Sequence, residues 1–298
     1  MKRILAIVPK DDSNIAPLQK GFYLAQKTGA RLSIVDFCYE NLSEVSVQSG
    51  KSEAELKKTI LQHKEEVMAE SLEAVIKSNP DYKNVDLDTD IVWDWKIREW
   101  ILAETSKVSY DLVIKAGHRT EKAFYTPTDW HLIRSCHAPL YLLSTKKWKK
   151  KKMQFLVALD VDNKSRSKKV LNEKLLEAGR NLADAMNAEL DCCFVLHIPK
   201  LLKELDAVDT SAYTRRAREE VLPRVIQMVK PYGIEEENIY RDVGDPASRI
   251  LKIAKKIKAD CVVIGSMGRK GMTGKLIGNT AEAVIKRLNS DMVVINLT

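Results

Sequence analysis

Long apolar runs are missing from this chain of 298 residues. None approaches the ~18 residues that a membrane-spanning helix needs, so no membrane span is expected. The start of the chain also lacks the pattern of a secretory leader. Met1-Lys2-Arg3 is followed at once by a short strand-like run, Ile4 to Val8, which Pro9, Lys10 and Asp11 end. A soluble, cytoplasmic protein is expected. Cysteine is scarce and odd in number: Cys38, Cys136, Cys192, Cys193 and Cys261, mostly in apolar runs, with no C-x-x-C. That usage fits reduced, buried thiols rather than a disulfide framework. Cys192 and Cys193 with His197 come nearest to a metal set. Adjacent strand residues point to opposite faces, however, and zinc needs convergent ligands, so no metal is expected there.

Charge of one sign is not lacking, since the formal net charge is +8. Six lysines, at 146, 147 and 149 to 152, sit in one stretch around Trp148, and without them the net falls to +2. A single basic run between two domains reads as a solvated linker. Nucleic-acid binding would call for a basic face interleaved with aromatics, so no stable nucleic-acid binding is expected. Hydrophobic content of 45% is enough for two cores, and the length is about two domains by the usual prior of ~150 residues each.

What is present is one unit written twice. Arg3 to Val8 reads as a buried strand, Pro17 to Lys27 as a helix ending at Gly29, and Arg31 to Phe37 as a second strand. A long charged helix (Lys51 to Lys77), a strand (Val85 to Trp93), a helix (Lys96 to Lys107) and a strand (Asp111 to Lys115) follow. Thr128 to Cys136 (helix) and Leu140 to Leu143 (strand) close the first half. The second half repeats the order. Its strands start at Phe155, Glu189, Asn238, Cys261 and Met292, and its helices span Leu171 to Met186, Tyr213 to Val229, Pro246 to Ile257 and Asn279 to Leu288. Pro223 requires a kink or a restart in the helix that holds it. Strands alternating with helices give a parallel α/β sheet with right-handed crossovers. Residues support the repeat. Asp111-Leu112-Val113-Ile114 lines up with Asp260-Cys261-Val262-Val263, and Thr128 through Leu143 lines up without gaps on Thr280 through Ile295. The expected domains are 1–146 and 152–298, joined at the lysine stretch.

Glycine is sparse, twelve in all, and five of the twelve fall between Gly265 and Gly278. A β run, Asp260 to Ile264, precedes them and a helix-period run follows. Strand, glycine-rich loop and helix N-terminus together suit phosphate, because glycines admit the oxygens and unpaired N–H groups face them. Two familiar loops are excluded. Walker A fails twice, with Arg269 at its leading glycine and Leu276 after Lys275. A dinucleotide fingerprint would follow the first strand, and neither first strand carries one. In the first half Ala116 stands for Gly265, Arg119 for Gly268 and Thr126 for Gly278, and Pro127 removes a donor at the helix start. One competent half and one degenerate half are therefore expected.

Gly265-x2-Gly268-x9-Gly278-Asn279, after a fourth strand in a five-strand unit, resembles the loop of ATP-binding universal stress proteins. The resemblance covers the whole chain as two tandem copies, stronger in the second. It implies two five-stranded parallel-sheet, Rossmann-like domains of the adenine nucleotide alpha hydrolase-like type, and a role in stress response. It also implies ATP as ligand, with or without Mg²⁺. By that resemblance Asp160 meets the adenosine part and Val195 offers backbone groups to adenine. Gly265 and Gly268 let the loop wrap ribose and phosphates, and Gly278, Asn279 and Thr280 close on the phosphates. Asn279 departs from the family's usual Ser or Thr but suits a helix N-cap. Arg269 suits a phosphate or ribose partner from its own chemistry.

Three alternatives to a nucleotide binder stay open. A slow ATPase is one, although no residue is placed as a general base and no acid pair marks Mg²⁺. A binder of a lipid-like ligand is another, through a first-half cleft flanked by Phe124, Tyr125 and Trp130. A DNA-associated protein using the lysine stretch is the third. His118, His131, His137 and Cys136 near the degenerate loop raise a metal reading, which histidines at helix ends seldom justify. Trp93, Trp95 and Trp100 read as core or interface. The fifth strands, Leu140 to Leu143 and Met292 to Ile295, would be apolar exposed edges. Their pairing within one chain would give an intramolecular pseudo-dimer. Further homodimerisation is not legible.

Overall fold

The structure, a computed structural model, describes residues 1–9, 15–117, 127–144, 152–161, 165–199, 209–266 and 279–297. At 127, 128 and 279 only the backbone is described. Its contacts divide the chain into two units, Met1–Ala116 and Gly117–Thr298.

The first unit runs β1 (Arg3–Ile7), α1 (Ala16–Thr28), β2 (Arg31–Cys38), α2 (Ser43–Ser49), α3 (Glu53–Ser78), β3 (Leu87–Trp93), α4 (Ile97–Lys107) and β4 (Leu112–Ala116). All its strands are parallel, in the order β3-β2-β1-β4. β1 and β4 are covered on both faces, so they read as unbroken apolar runs rather than as alternation. Gly29, at φ 67°, closes α1 in the left-handed conformation that its missing side chain allows. The sequence suggests one long helix from Lys51. The structure adds the separate turn α2, which buries none of its residues. Ser52 and Glu55 then start α3 with a reciprocal cap, Glu55 N–H donating to Ser52 Oγ at 3.2 Å and Ser52 N–H to Glu55 Oε2 at 2.8 Å.

The second unit holds α5 (Pro127–Ser135), β5 (Leu140–Leu143), β6 (Gln154–Leu159), α6 (Arg166–Ala185) and β7 (Glu189–His197). α7 (Thr210–Arg216), α8 (Leu222–Val229), β8 (Ile239–Gly244), α9 (Pro246–Lys256), β9 (Cys261–Ser266), α10 (Asn279–Arg287) and β10 (Asp291–Asn296) complete it. Its strand order is β5-β10-β9-β6-β7-β8. β6 to β10 are parallel, while β5 joins β10 antiparallel, with Tyr141 opposite Val293. A π-helical turn at Ala217–Val221 precedes α8. Pro223 therefore falls in the first turn of a restarted helix, where its missing N–H costs little. Tyr141 is fully buried in the β5–β10 pair. Its hydroxyl donates to Asp291 Oδ2 at 3.1 Å, and the other carboxylate oxygen accepts from Ser144 N–H at 2.8 Å. Burial, then Asp291 beside it, pushes the Tyr141 hydroxyl well above its ordinary range.

The repeat extends to side chains. Asp111 Oδ2 accepts the N–H of Arg3 at 3.0 Å, and Asp260 Oδ2 that of Gln154 at 2.9 Å, each tying the fourth strand of its set to the first. Gly21 and Gly179 sit inside α1 and α6, where a Cβ would strike Leu32 at 2.9 Å and Val157 at 2.7 Å. Each lets its helix lie close on the sheet. Among the described residues no helix is long and apolar enough to cross a membrane.

Candidate functional site

In an open parallel sheet, ligands settle at the carboxyl ends of the strands where the strand order reverses. In the second unit the chain passes from β6 outward to β7 and β8, then returns to the other side of β6 as β9. The reversal lies between β6, which runs into Asp160, and β9, which ends in Gly265-Ser266. Ile264 is registered with Ala158, so Gly265, one residue before the end of β9, follows in step with Leu159, the last residue of β6.

Asp160 is held by its backbone. Buried Asn172 of α6 accepts the Asp160 N–H at 3.1 Å and donates Nδ2–H to the Asp160 carbonyl at 2.9 Å. This amide-to-peptide pairing fixes the turn in the manner of one rung of a sheet ladder. The Asp160 carboxylate pairs with Lys168 and is 43% exposed. Val195 is half-buried on β7, one residue beyond the last residue registered with β6, Phe194. A Cβ on Gly265 would come 2.5 Å from Leu171 Cδ2, so packing against α6 also demands a glycine there. Ser266 is fully buried, and its hydroxyl has no hydrogen-bond partner among the described residues. Its register neighbour Asn296 donates to the Cys136 carbonyl at 3.1 Å and leaves Oδ1 equally unmet. Thr280 lies in the first turn of α10, half-buried, and Asn279 starts that helix. Gly268, Arg269 and Gly278 lie outside the described residues.

The first unit has the same reversal between β1 and β4, with different contents. Ile7 is registered with both Val35 and Lys115, as Ala158 is with Cys193 and Ile264. Counting along puts Pro9 where Asp160 stands, Ala116 where Gly265 stands and Phe37 where Val195 stands. Trp100 and Arg249 are each the fourth residue of an eleven-residue helix, α4 and α9. In the first unit Phe37 and Trp100 stack edge to face, centroids 5.3 Å apart at 81°. In the second, Val195 is small and Arg249 Nη1 reaches Asp242 Oδ2 at 3.5 Å. Asp242 is the β8 residue registered with Val195.

Other candidates from the sequence disperse. All five cysteines are buried, and burial first pushes the Cys193 thiol up to about 12, which disfavours the thiolate a metal needs. His131 and His137 are exposed, and no cluster of three or more His, Cys, Asp or Glu suited to a metal occurs among the described residues. His118, Phe124 and Tyr125 lie outside the described residues, and Trp130 has the Lys286 ammonium 5.7 Å from its ring. Trp95 is 65% exposed, with Lys96 over it, while Trp100 packs inward on Phe37.

Residues 153–296 match the model of the Universal stress protein family. Over 99% of its length the chain is 27% identical to universal stress protein E of Salmonella typhi, covering 94% of that protein. Residues 153–296 belong to the universal stress protein family. A universal stress protein E homolog of Haemophilus influenzae is 28% identical over 90% of this chain and 85% of its own. A putative universal stress protein from Pseudomonas aeruginosa shares the fold, with a TM-score of 0.70 and 22% identity over 99% of this chain and 93% of that one. Universal stress proteins thus match this chain over nearly its whole length.

Sequence reading missed Asn172, Lys168, Ser266 and the Asp242–Arg249 pair. Asn172 left a trace, as an amide on the otherwise apolar face of α6 that holds Leu171, Leu175 and Leu176. Arg249 left one too, since aligning the two halves at their third helices sets it against Trp100.

Proposed function

We propose that this universal stress protein binds ATP at the carboxyl end of the second unit's sheet and works as a nucleotide-responsive stress protein of the cytoplasm. The observation that carries the reading is the strand-order reversal bounded by Asp160 and by Gly265-Ser266, with a buried hydroxyl there that has no partner among the described residues. A buried hydroxyl unmet by the described residues is a donor in want of an acceptor, which a phosphoryl oxygen supplies. In this reading Asp160 and Val195 face the nucleoside. Gly265, Gly268 and Arg269 follow the ribose and phosphates, and Gly278, Asn279 and Thr280 cap the phosphates at the start of α10. The halves 1–146 and 152–298 act as a degenerate and a competent domain, paired within one chain through β5 and β10.

The geometry favours binding over turnover, because the Asp160 carboxylate is already engaged with Lys168 and its backbone is clamped by Asn172. Nucleotide extracted from the purified protein and identified by mass spectrometry tests the reading. Adenine nucleotide is expected with the wild type and none with Gly278→Asp, while circular dichroism reports the same fold for both. Retention of nucleotide by a folded Gly278→Asp variant would reject the site.

A further inference from the structure

The second unit carries at the carboxyl end of β7 and β8 a side-chain arrangement that the nucleotide loop does not explain. Asp242 is registered with Val195 on neighbouring strands, about 4.8 Å away in the ladder direction, and both are half-buried. Arg249 comes from the first turn of α9, which Asp245 caps by accepting the Ser248 N–H at 2.9 Å. Asp242 is itself set, with Oδ1 accepting the Val243 N–H at 2.8 Å and Oδ2 facing Arg249 Nη1 at 3.5 Å. Gly244, between them in sequence, has φ 133°, and a Cβ there would stand 3.1 Å from Arg249 Nε and 3.8 Å from Cζ. Bare backbone at Gly244 is therefore what lets the guanidinium lie across the turn and reach Asp242. About a quarter of each charged side chain stays exposed, at 28% and 27%.

The first unit indicates what such a place is for. There Phe37 and Trp100 occupy the positions of Val195 and Arg249 and satisfy each other ring to ring. The first unit supplies from its own chain two flat surfaces. The second substitutes a small side chain and a flat cation, and so leaves one flat partner to come from outside. A guanidinium plane held by a carboxylate stacks on, and donates to, heteroaromatic rings, and a purine offers it more area than a pyrimidine.

We infer that Arg249, held by Asp242 across Gly244, is the side chain that meets the base of the bound nucleotide and sets a preference for purines over pyrimidines. This rests on the nucleotide reading above and deepens it. The test is calorimetric titration of the full chain, stripped of nucleotide, with ATP and with CTP, for wild type, Arg249→Leu and Arg249→Lys. The wild type is expected to bind ATP about tenfold tighter than CTP. Arg249→Leu removes that margin by weakening ATP about tenfold while CTP changes by less than about threefold. Arg249→Lys behaves like Arg249→Leu, because lysine keeps the charge and loses the plane. A merely structural role would weaken both nucleotides alike. The inference is overturned by an ATP-to-CTP ratio near one in the wild type, by a ratio that Arg249→Leu leaves intact, by a parallel loss of both ligands, or by full rescue with lysine. A wild type that binds neither nucleotide rejects the underlying reading instead.

Discussion

The carboxyl ends of the two parallel strand sets share one backbone plan and differ in what fills it. In the first, buried Pro9 and Ala116 stand at the reversal point, with the Phe37–Trp100 ring pair on the neighbouring strand and helix. In the second, Asp160, Gly265, Val195 and the Asp242–Arg249 pair leave it polar and partly exposed. In the proposed reading, a repeat that keeps the frame and swaps side chains at the strand ends retires one site and keeps the other without altering the core.

The comparison is broken most directly by writing the first unit's ring pair into the second. Val195→Phe with Arg249→Trp is expected to lower ATP affinity by about 100-fold or more while the thermal midpoint stays within a few degrees, measured by titration and by melting. An ATP affinity unchanged by that double substitution would remove the parallel between the two ring positions. The converse change costs stability instead. Trp100→Ala should destabilise by about 2–3 kcal/mol in denaturant unfolding, below the full aromatic-to-alanine range because Trp100 is only half-buried. Smaller again is Asn172→Ala, which leaves the Asp160 N–H and carbonyl without their partner. About 2 kcal/mol is expected, together with weaker nucleotide binding, and a variant that lost stability but bound ATP normally would separate the clamp from the site.

The smallest effect separates the helices that carry Trp100 and Arg249. Lys96 begins α4 with no side-chain cap, whereas Asp245 caps α9 through Ser248. Hydrogen bonds from Ser248 hold the Asp245 carboxyl below its usual range, with Arg287 and His197 adding to this. A carboxyl whose folded pKa is depressed contributes stability above its unfolded pKa, and that contribution is lost as pH falls through the folded value. Melting wild type against Asp245→Asn, which keeps a cap and loses the charge, should show a gap of a few tenths of a kcal/mol near pH 7. That gap should close toward about pH 3. A gap that widened on acidification would reverse the sign.

The frame was legible in the sequence because buried parallel strands are written as apolar runs, as in Leu112 to Ala116 and Cys261 to Ile264, and because each pattern occurs twice. Pro223 announced the restart of α8. The loop's candidacy was legible from glycine spacing. Less legible were groups that act across sequence distance. Asn172 reaches back twelve residues to Asp160, and Arg249 matters only once β8 is registered beside β7. The turn α2 left no signal because it buries nothing and so has no periodicity to show. Gly265 carries a double meaning that spacing alone gives only in part, since Leu171 requires a glycine there whatever the ligand.

In the proposed function one nucleotide site survives, in the second unit alone. A native mass spectrum of the intact wild-type chain tests it most directly. One adenine nucleotide per chain, absent from a folded Gly278→Asp variant, is the result expected. Two nucleotides per chain, or one that persists in that variant, would contradict it.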